Sequence, residues 1–273
     1  LYGGYGYFDN MNHFFGENGF EIVDRSDIVN PRFANIWGVC DEDLFDHALN
    51  YFDRVNQEGK PFFSIIMTTS NHRPFTFPKG IDGVPEKGGG RKAGIRYADH
   101  AVGRFIDQAK DHSWMGNTLF VIVADHCARV YGRAEIPIKN YEIPLLFYAP
   151  QKLAAGIETD PVSQMDIAPT VLGLLGIAYE APFFGQNVLQ PETGGPDHPV
   201  FLSHNHDVAM LKGDQMAVLG LNRSTALFSV DLSSGRQQRI ADTGNLTDET
   251  AAIYQTAFEM FDKHQYVLHS ILQ

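Results

Sequence analysis

Residues 117–126, NTLFVIVADH, constrain the fold of this chain more than any other segment. An apolar run of strand length that stops abruptly in polar residues is what a strand buried on both faces of a parallel sheet requires. In open α/β sheets, ligands gather beyond the carboxyl ends of such strands. Asp125 and His126, a carboxylate and an imidazole, fall at that end. On the residues alone two roles stay open. The pair holds a metal ion, or Asp125 caps the following turn while His126 packs as a neutral, hydrogen-bonded imidazole.

The surrounding elements favour an α/β architecture. Asp41 reads as an N-cap, after which Leu44, Phe45, Ala48, Leu49, Phe52 and Val55 recur at helical spacing up to Gly59. Residues 60–68, KPFFSIIMT, read as a second buried strand that ends in the polar turn 69–74. Beyond a glycine-rich loop at 80–90, the spacing of Ile95, Ala98, Val102, Phe105, Ile106 and Ala109 predicts a helix feeding the 117–126 strand. That β-loop-α-β order implies a right-handed crossover and a parallel sheet. A third apolar strand is expected at 143–148, and a helix at 164–175 with Asp166 in its first turn, where the helix dipole favours an acid. Upstream, residues 1–19 read as glycine-rich loop with a short helix near 11–15, and 20–23 as a short strand. Alternating runs at 201–203, 209–212 and 226–230 predict an antiparallel meander, and a helix from about 248 to 272 closes the chain.

Composition excludes several partners. With 33 acidic against 21 basic residues the formal net charge is −12, which argues against nucleic acid or an anionic membrane surface as a general partner. Cys40 and Cys127 belong to no CxxC or zinc-finger spacing and read as two free thiols. No apolar run reaches the ~18–20 residues of a membrane helix, and none of them reads as a signal peptide. The chain opens on Leu1 within LYGGYGYFDN and is expected to be cut from a longer protein.

Two strands end in polar clusters, Asn71-His72-Arg73 and Asp125-His126, which neighbouring parallel strands would bring to one sheet edge. A carboxylate with an imidazole suits Mn²⁺, Mg²⁺ or Zn²⁺, while His72 and Arg129 suit a tetrahedral anion. His72 serves equally well as a turn histidine bonded to backbone. His204 and His206 read either as a ligand pair on one strand face or as an exposed polar edge. His13, His47, His100, His112, His198, His264 and His269 have no constellation around them in the sequence. Tyr2, Tyr5, Tyr7, Phe8, Phe14 and Phe15 read as a substrate-pocket lining or as a packed lid.

Five motifs in order carry a family resemblance: Ser70-Asn71-His72-Arg73-Pro74-Phe75, Ile95-Arg96-Tyr97-Ala98-Asp99, Val123-Ala124-Asp125-His126, Ile143-Pro144-Leu145-Leu146 and Asp166-Ile167-Ala168-Pro169-Thr170. Together they resemble the sulfatase branch of the alkaline-phosphatase superfamily, within it the lipoteichoic-acid synthase and phosphoglycerol transferase group, up to about Leu189. The resemblance implies a mostly parallel α/β sheet flanked by helices, with a small C-terminal antiparallel sheet and terminal helix. It implies one truncated catalytic domain over 1–273, its main α/β part in 1–190 and the meander and helix in 191–273.

In that family a Mn²⁺ or Mg²⁺ is bound by a Glu, a nucleophilic Thr and an Asp-His pair, and the Thr becomes phosphorylated. The pair maps onto Asp125 and His126 as metal ligands, with Mn²⁺ the first expectation and Mg²⁺ or Zn²⁺ the alternatives. The substrate-binding His maps onto His72, with Asn71 and Arg129 also on the substrate side. The Glu and Thr are expected upstream, so the isolated chain is expected to be inactive. Tyr2, Asp9 and Met11 stand where the lipoteichoic-acid synthases use a His, an aromatic and an Arg for glycerol phosphate. The implied setting is a catalytic domain anchored by upstream helices on the periplasmic or extracellular face of a bacterial inner membrane. Its substrate would be a phospholipid- or glycan-derived phosphodiester or sulfate ester. A hydrolase using water as acceptor, and an inactive envelope-binding module, are the alternatives. Loss of the upstream part predicts self-association through exposed edges.

Overall fold

The computed structural model describes residues 1–128, 132, 134–190, 195 and 197–271, with side chains in the last helix described to residue 263. The chain forms two compact units, Leu1–Phe120 with Tyr148–Ala154, and Val121–Phe147 with Ala155–Gln273. Among the described residues no helix is long and apolar enough to cross a membrane.

The first unit is built on helices α1 (Met11–Glu17), α2 (Asp41–Asn56) and α3 (Gly90–Ala109). The predicted apolar stripes meet: Phe45, Ala48, Leu49 and Phe52 of α2 pack with Ala101, Phe105 and Ala109 of α3, and the alanines leave room for Phe45 to stack on Phe105 at 4.7 Å. Each large side chain buried there contributes roughly 1.5–3 kcal/mol relative to an exposed one. Asp41 is not the N-cap. Cys40 holds that position without a side-chain cap bond, and the Asp41 carboxylate turns inward to backbone amides outside the helix.

Residues 60–68 run extended without forming a ladder strand, and their pairing is with the chain start. The Leu1 ammonium donates to the Ile65 carbonyl at 2.7 Å, Met67 N–H donates to the Leu1 carbonyl, and Tyr2 and Met67 form an isolated parallel bridge. Burial here is one-sided rather than two-sided: Phe62 and Ile66 pack inward while Phe63 is 71% exposed. The expected strand at 20–23 is also absent. Its backbone bonds run from Phe20 N–H back to the Phe15 carbonyl and from Tyr2 N–H to the Val23 carbonyl, which form no ladder.

Strand β1 (Phe120–Val123) pairs with β2 (Leu145–Tyr148); both belong to the second unit except Phe120 and Tyr148, which fall in the first. The predicted ten-residue strand is cut to four at both ends: a 3-10 turn, Met115–Asn117, takes its start, and the backbone bends at Asp125 and His126. Helix α4 (Ile167–Leu174) follows a 3-10 turn, Gln164–Asp166, whose start is a capping box between Ser163 and Asp166. The meander is larger than expected, with five antiparallel strands in chain order: β3 (Val200–His204), β4 (Asp207–Lys212), β5 (Gln215–Leu219), β6 (Thr225–Asp231) and β7 (Arg236–Ile240). Strand β7, RQQRI, lies at the sheet edge, which explains why it carries no apolar alternation. Inward residues Ala209, Leu211, Met216, Val218, Phe228 and Val230 close a core over Ile136 and Ile138. The terminal helix α5 (Asn245–Ile271) is fixed to this sheet by Tyr254, whose hydroxyl lies 3.1 Å from the Leu202 carbonyl and 3.2 Å from that of Ala209.

Candidate active site

Each unit presents one of the two predicted polar clusters. In the first unit, residues 69–72 form a turn beside the N-terminus of α2. His72 is exposed, its Nδ1 lies 3.1 Å from the Arg73 carbonyl, and its ring sits 4.0 Å from that of Trp37. The backbone-bonded alternative is thus observed, and it leaves Nε2 available to an incoming group. Asn71 beside it is exposed. A Cβ at Gly94 of α3 would lie 2.5 Å from Asn71 Oδ1, so a side chain there would displace Asn71. Phe8 meets Trp37 edge-on at 5.6 Å and is 45% exposed.

In the second unit, Asp125 and His126 stand open to solvent, with side chains 72% and 77% exposed and His126 Nε2 3.3 Å from Asp125 Oδ2. Asp125 Oδ1 accepts from His126 N–H at 2.8 Å, and His126 Nδ1 lies 2.6 Å from the Cys127 carbonyl. The imidazole is therefore not a packed core group. Gln164 Nε2 donates to the Ala124 and Asp125 carbonyls at 3.2 and 2.8 Å, tying this bend to the turn before α4. The contact of Nδ1 with a carbonyl is what fixes the tautomer of a metal-binding imidazole, and it leaves Nε2, on the side of Asp125 Oδ2, as the nitrogen a metal would take. Asp125 and His126 are two donors of the right chemistry. Among the described residues no group of three or more His, Cys, Asp or Glu is arranged to hold a metal, so the pair fits part of a coordination shell. Arg129 lies outside the described residues.

The other histidines divide differently from their sequence reading. His204 ends β3 and His206 falls in the turn before β4, so they do not share a strand face. The Tyr141 hydroxyl donates to the Ser203 carbonyl at 2.8 Å and accepts from His204 Nδ1 at 2.7 Å. His112 and His198, unassigned from sequence, each meet a carboxylate. His112 Nδ1 is 2.7 Å from Asp53 Oδ1, which also accepts from Trp114 Nε1, and that bonding holds the Asp53 carboxylate below its usual range. His198 Nε2 is 2.8 Å from Asp166 Oδ2, with both side chains 2% exposed. No local spacing signals these pairs, because their partners lie 59 and 32 residues away. The N-terminal aromatics make two sets of ring contacts, Tyr5 on Tyr7 and Phe14 on Phe15 on Phe20, with Tyr7 and Phe14 exposed.

Residues 1–177 match the family model described as Sulfatase. The chain belongs to the sulfatase family. Its fold is that of the alkaline-phosphatase superfamily: a superfamily protein from Vibrio parahaemolyticus superposes with a TM-score of 0.90 at 31% identity, over 97% of this chain and 65% of the other. The lipoteichoic acid synthase LtaP of Listeria monocytogenes shares the fold at a TM-score of 0.65 and 19% identity, over 92% of this chain and 68% of that one. By sequence, phosphoglycerol transferase I of Xanthomonas axonopodis is 24% identical over 72% of this chain and 31% of its own length. A lipoteichoic acid synthase-like protein of Bacillus subtilis is 27% identical over 66% of this chain and 32% of its own. The sulfatase chain thus spans about a third of the curated relatives it matches.

Both cysteines of this sulfatase-family chain are free, as expected, and they differ sharply in environment. Burial pushes the Cys40 thiol up to about 12, and its Sγ donates to Asp43 Oδ2, whereas Cys127 is partly exposed beside His126. Since the thiolate is the reactive form, dithiobis-nitrobenzoate at pH 8 is expected to titrate one thiol per native chain, at Cys127, and the second after unfolding. Two fast thiols in the native chain would contradict the burial of Cys40.

Proposed function

We propose that this chain is part of the catalytic domain of a metal-dependent enzyme acting on phosphodiester or sulfate ester groups of cell-envelope substrates. The observation that carries the reading is the exposed Asp125 and His126 pair at the end of β1, in a chain that matches the sulfatase model. Phosphoglycerol transfer is the first expectation, drawn from the names of the transferase and synthase relatives. An anchored domain on the periplasmic or extracellular face of a bacterial membrane is the proposed setting.

In this reading Asp125 and His126 hold a divalent ion, Mn²⁺ first, together with ligands that the family supplies from a Glu and a Thr. When bound, such an ion lowers the pKa of a coordinated hydroxyl and neutralises charge on an ester oxygen. Asp125 contributes negative charge and His126 a neutral nitrogen, its ring kept in one orientation by the Cys127 carbonyl. Within the first unit, His72 Nε2 offers a hydrogen bond to a non-bridging ester oxygen, Trp37 limits the motion of its ring, and Asn71 adds a donor beside it, while Arg129 keeps the substrate-side role that the family resemblance gives it. The isolated chain is expected to be inactive, and self-association through its exposed apolar side chains is part of the same proposal.

A hydrolase that uses water as acceptor is the second reading. Tyr2, Asp9 and Met11 favour it, since a carboxylate at Asp9 repels the phosphate of a glycerol phosphate group. Asp9 also helps burial raise the Tyr2 phenol. The test is a product assay on this domain joined to its upstream sequence, scoring inorganic phosphate or sulfate release against transfer to glycerol acceptors. Transfer supports the first reading and release the second. Neither product under Mn²⁺, Mg²⁺ or Zn²⁺ would sink both in favour of an envelope-binding module.

A further inference from the structure

Asp41 occupies an unusual position for an acid at the start of a long helix. It is 1% exposed, and its carboxylate is turned away from the orphan amides of α2 that a capping acid would serve. Oδ1 instead accepts from Thr69 N–H at 3.2 Å and Ser70 N–H at 3.0 Å, and Ser70 Oγ accepts from Asp41 N–H at 3.1 Å. Oδ2 is buried with no hydrogen-bond partner. Burying a carboxyl oxygen unpartnered is costly, so the group is retained for what Oδ1 holds and not for filling space. Burial pushes Asp41 up while the bonds from Ser70 and Thr69 pull it down, the expected conflict for a carboxylate kept for geometry. Four residues upstream, Trp37 meets the ring of His72 at 4.0 Å. One short segment therefore touches the turn at two points, its backbone at 69–70 and its imidazole at 72, while Thr69 Oγ1 adds a bond to the Val39 carbonyl.

We infer that Asp41 is the positioning residue for His72, clamping the 69–72 turn to the start of α2 so that the imidazole stays against Trp37. Asp41 touches no substrate and acts through the turn. Its relevance to turnover rests on the reading that His72 meets the substrate, but its effect on His72 is measurable without turnover.

The experiment is nuclear magnetic resonance on this chain, with His72 ring signals identified by their loss in His72→Ala. Asp41→Ala should weaken the His72–Trp37 ring cross-peak at least threefold and speed exchange of the Thr69 and Ser70 amides at least tenfold. Asp41→Asn, which keeps an acceptor oxygen for both amides, should restore both. A role limited to stability would lower the melting midpoint of Asp41→Ala yet leave the cross-peak of the folded fraction intact, and that result overturns the inference. Should Asp41→Ala fail to fold, Ser70→Ala decides. It removes the return bond to Asp41 N–H and should cut the cross-peak about twofold; an unchanged cross-peak overturns the inference. Titration of the wild-type chain with inorganic phosphate separates the two ideas, since His72 signals indifferent to phosphate would count against its substrate role alone.

Discussion

Asp125→Ala is expected to abolish saturable Mn²⁺ binding. The carboxylate supplies the only formal negative charge of the Asp125–His126 pair, and with both side chains more than 70% exposed nothing else in the pair replaces it. Loss of an outer-shell partner already costs ~10–100-fold in metal affinity, so loss of a direct ligand, the role proposed for Asp125, should exceed ~100-fold. His126→Ala should weaken binding by a similar factor, while His126→Gln keeps a polar group but no imidazole and should not rescue it. Titration calorimetry on the wild-type chain and Asp125→Ala, repeated with the upstream sequence joined, is the measurement. Equal binding by wild type and variant would show that the metal, if held, is held elsewhere. Absence of binding to either form, with the upstream sequence in place, would remove the metal from the proposal.

The largest expected effect on stability is at Asp166. This carboxylate is 2% exposed and accepts from Ser163 N–H at 2.7 Å, Gln186 N–H at 2.9 Å and His198 Nε2 at 2.8 Å. It thus joins the turn before α4, the loop near residue 186 and the segment leading into β3. The loop comes this close because residue 185 is glycine: a Cβ there would lie 2.0 Å from the Met165 carbonyl. Asp166→Ala leaves the buried His198 imidazole and the half-buried Ser163 and Gln186 amides without their acceptor, and breaking such a set costs ~3–5 kcal/mol. For a domain of this size that corresponds to a fall in unfolding midpoint on the order of 10 °C. Asp166→Asn should cost less, since one oxygen still accepts while its amide faces a donor. A midpoint within about 2 °C of wild type for Asp166→Ala would contradict the bonding described here. Asp166 lies within the stretch matched by the sulfatase model, and its place in the structure is that of an anchor.

Much of this was legible in the chain. Helical spacing at 44–55 and 95–109 marked α2 and α3, because one apolar stripe per helix must be buried wherever the helix ends up. The polar end of the 117–126 run located the Asp125 and His126 bend, and the ordered motifs located the family, since both are patterns of neighbouring residues. What local pattern cannot carry is partnership across the chain. Whether residues 60–68 are buried on one face or two depends on what packs beside them, so Phe63 faces out where the sequence suggested a wholly buried strand. Strand β7 is polar because it needs only backbone bonding at a sheet edge, which leaves no hydrophobic trace. The sequence by itself determined the family, the helices and the residue types at the site. Only the tertiary structure decided which acids meet which partners, Asp166 with His198, Asp53 with His112 and Asp41 with the His72 turn, because a carboxylate has the same local signature whether it caps, anchors or binds a metal.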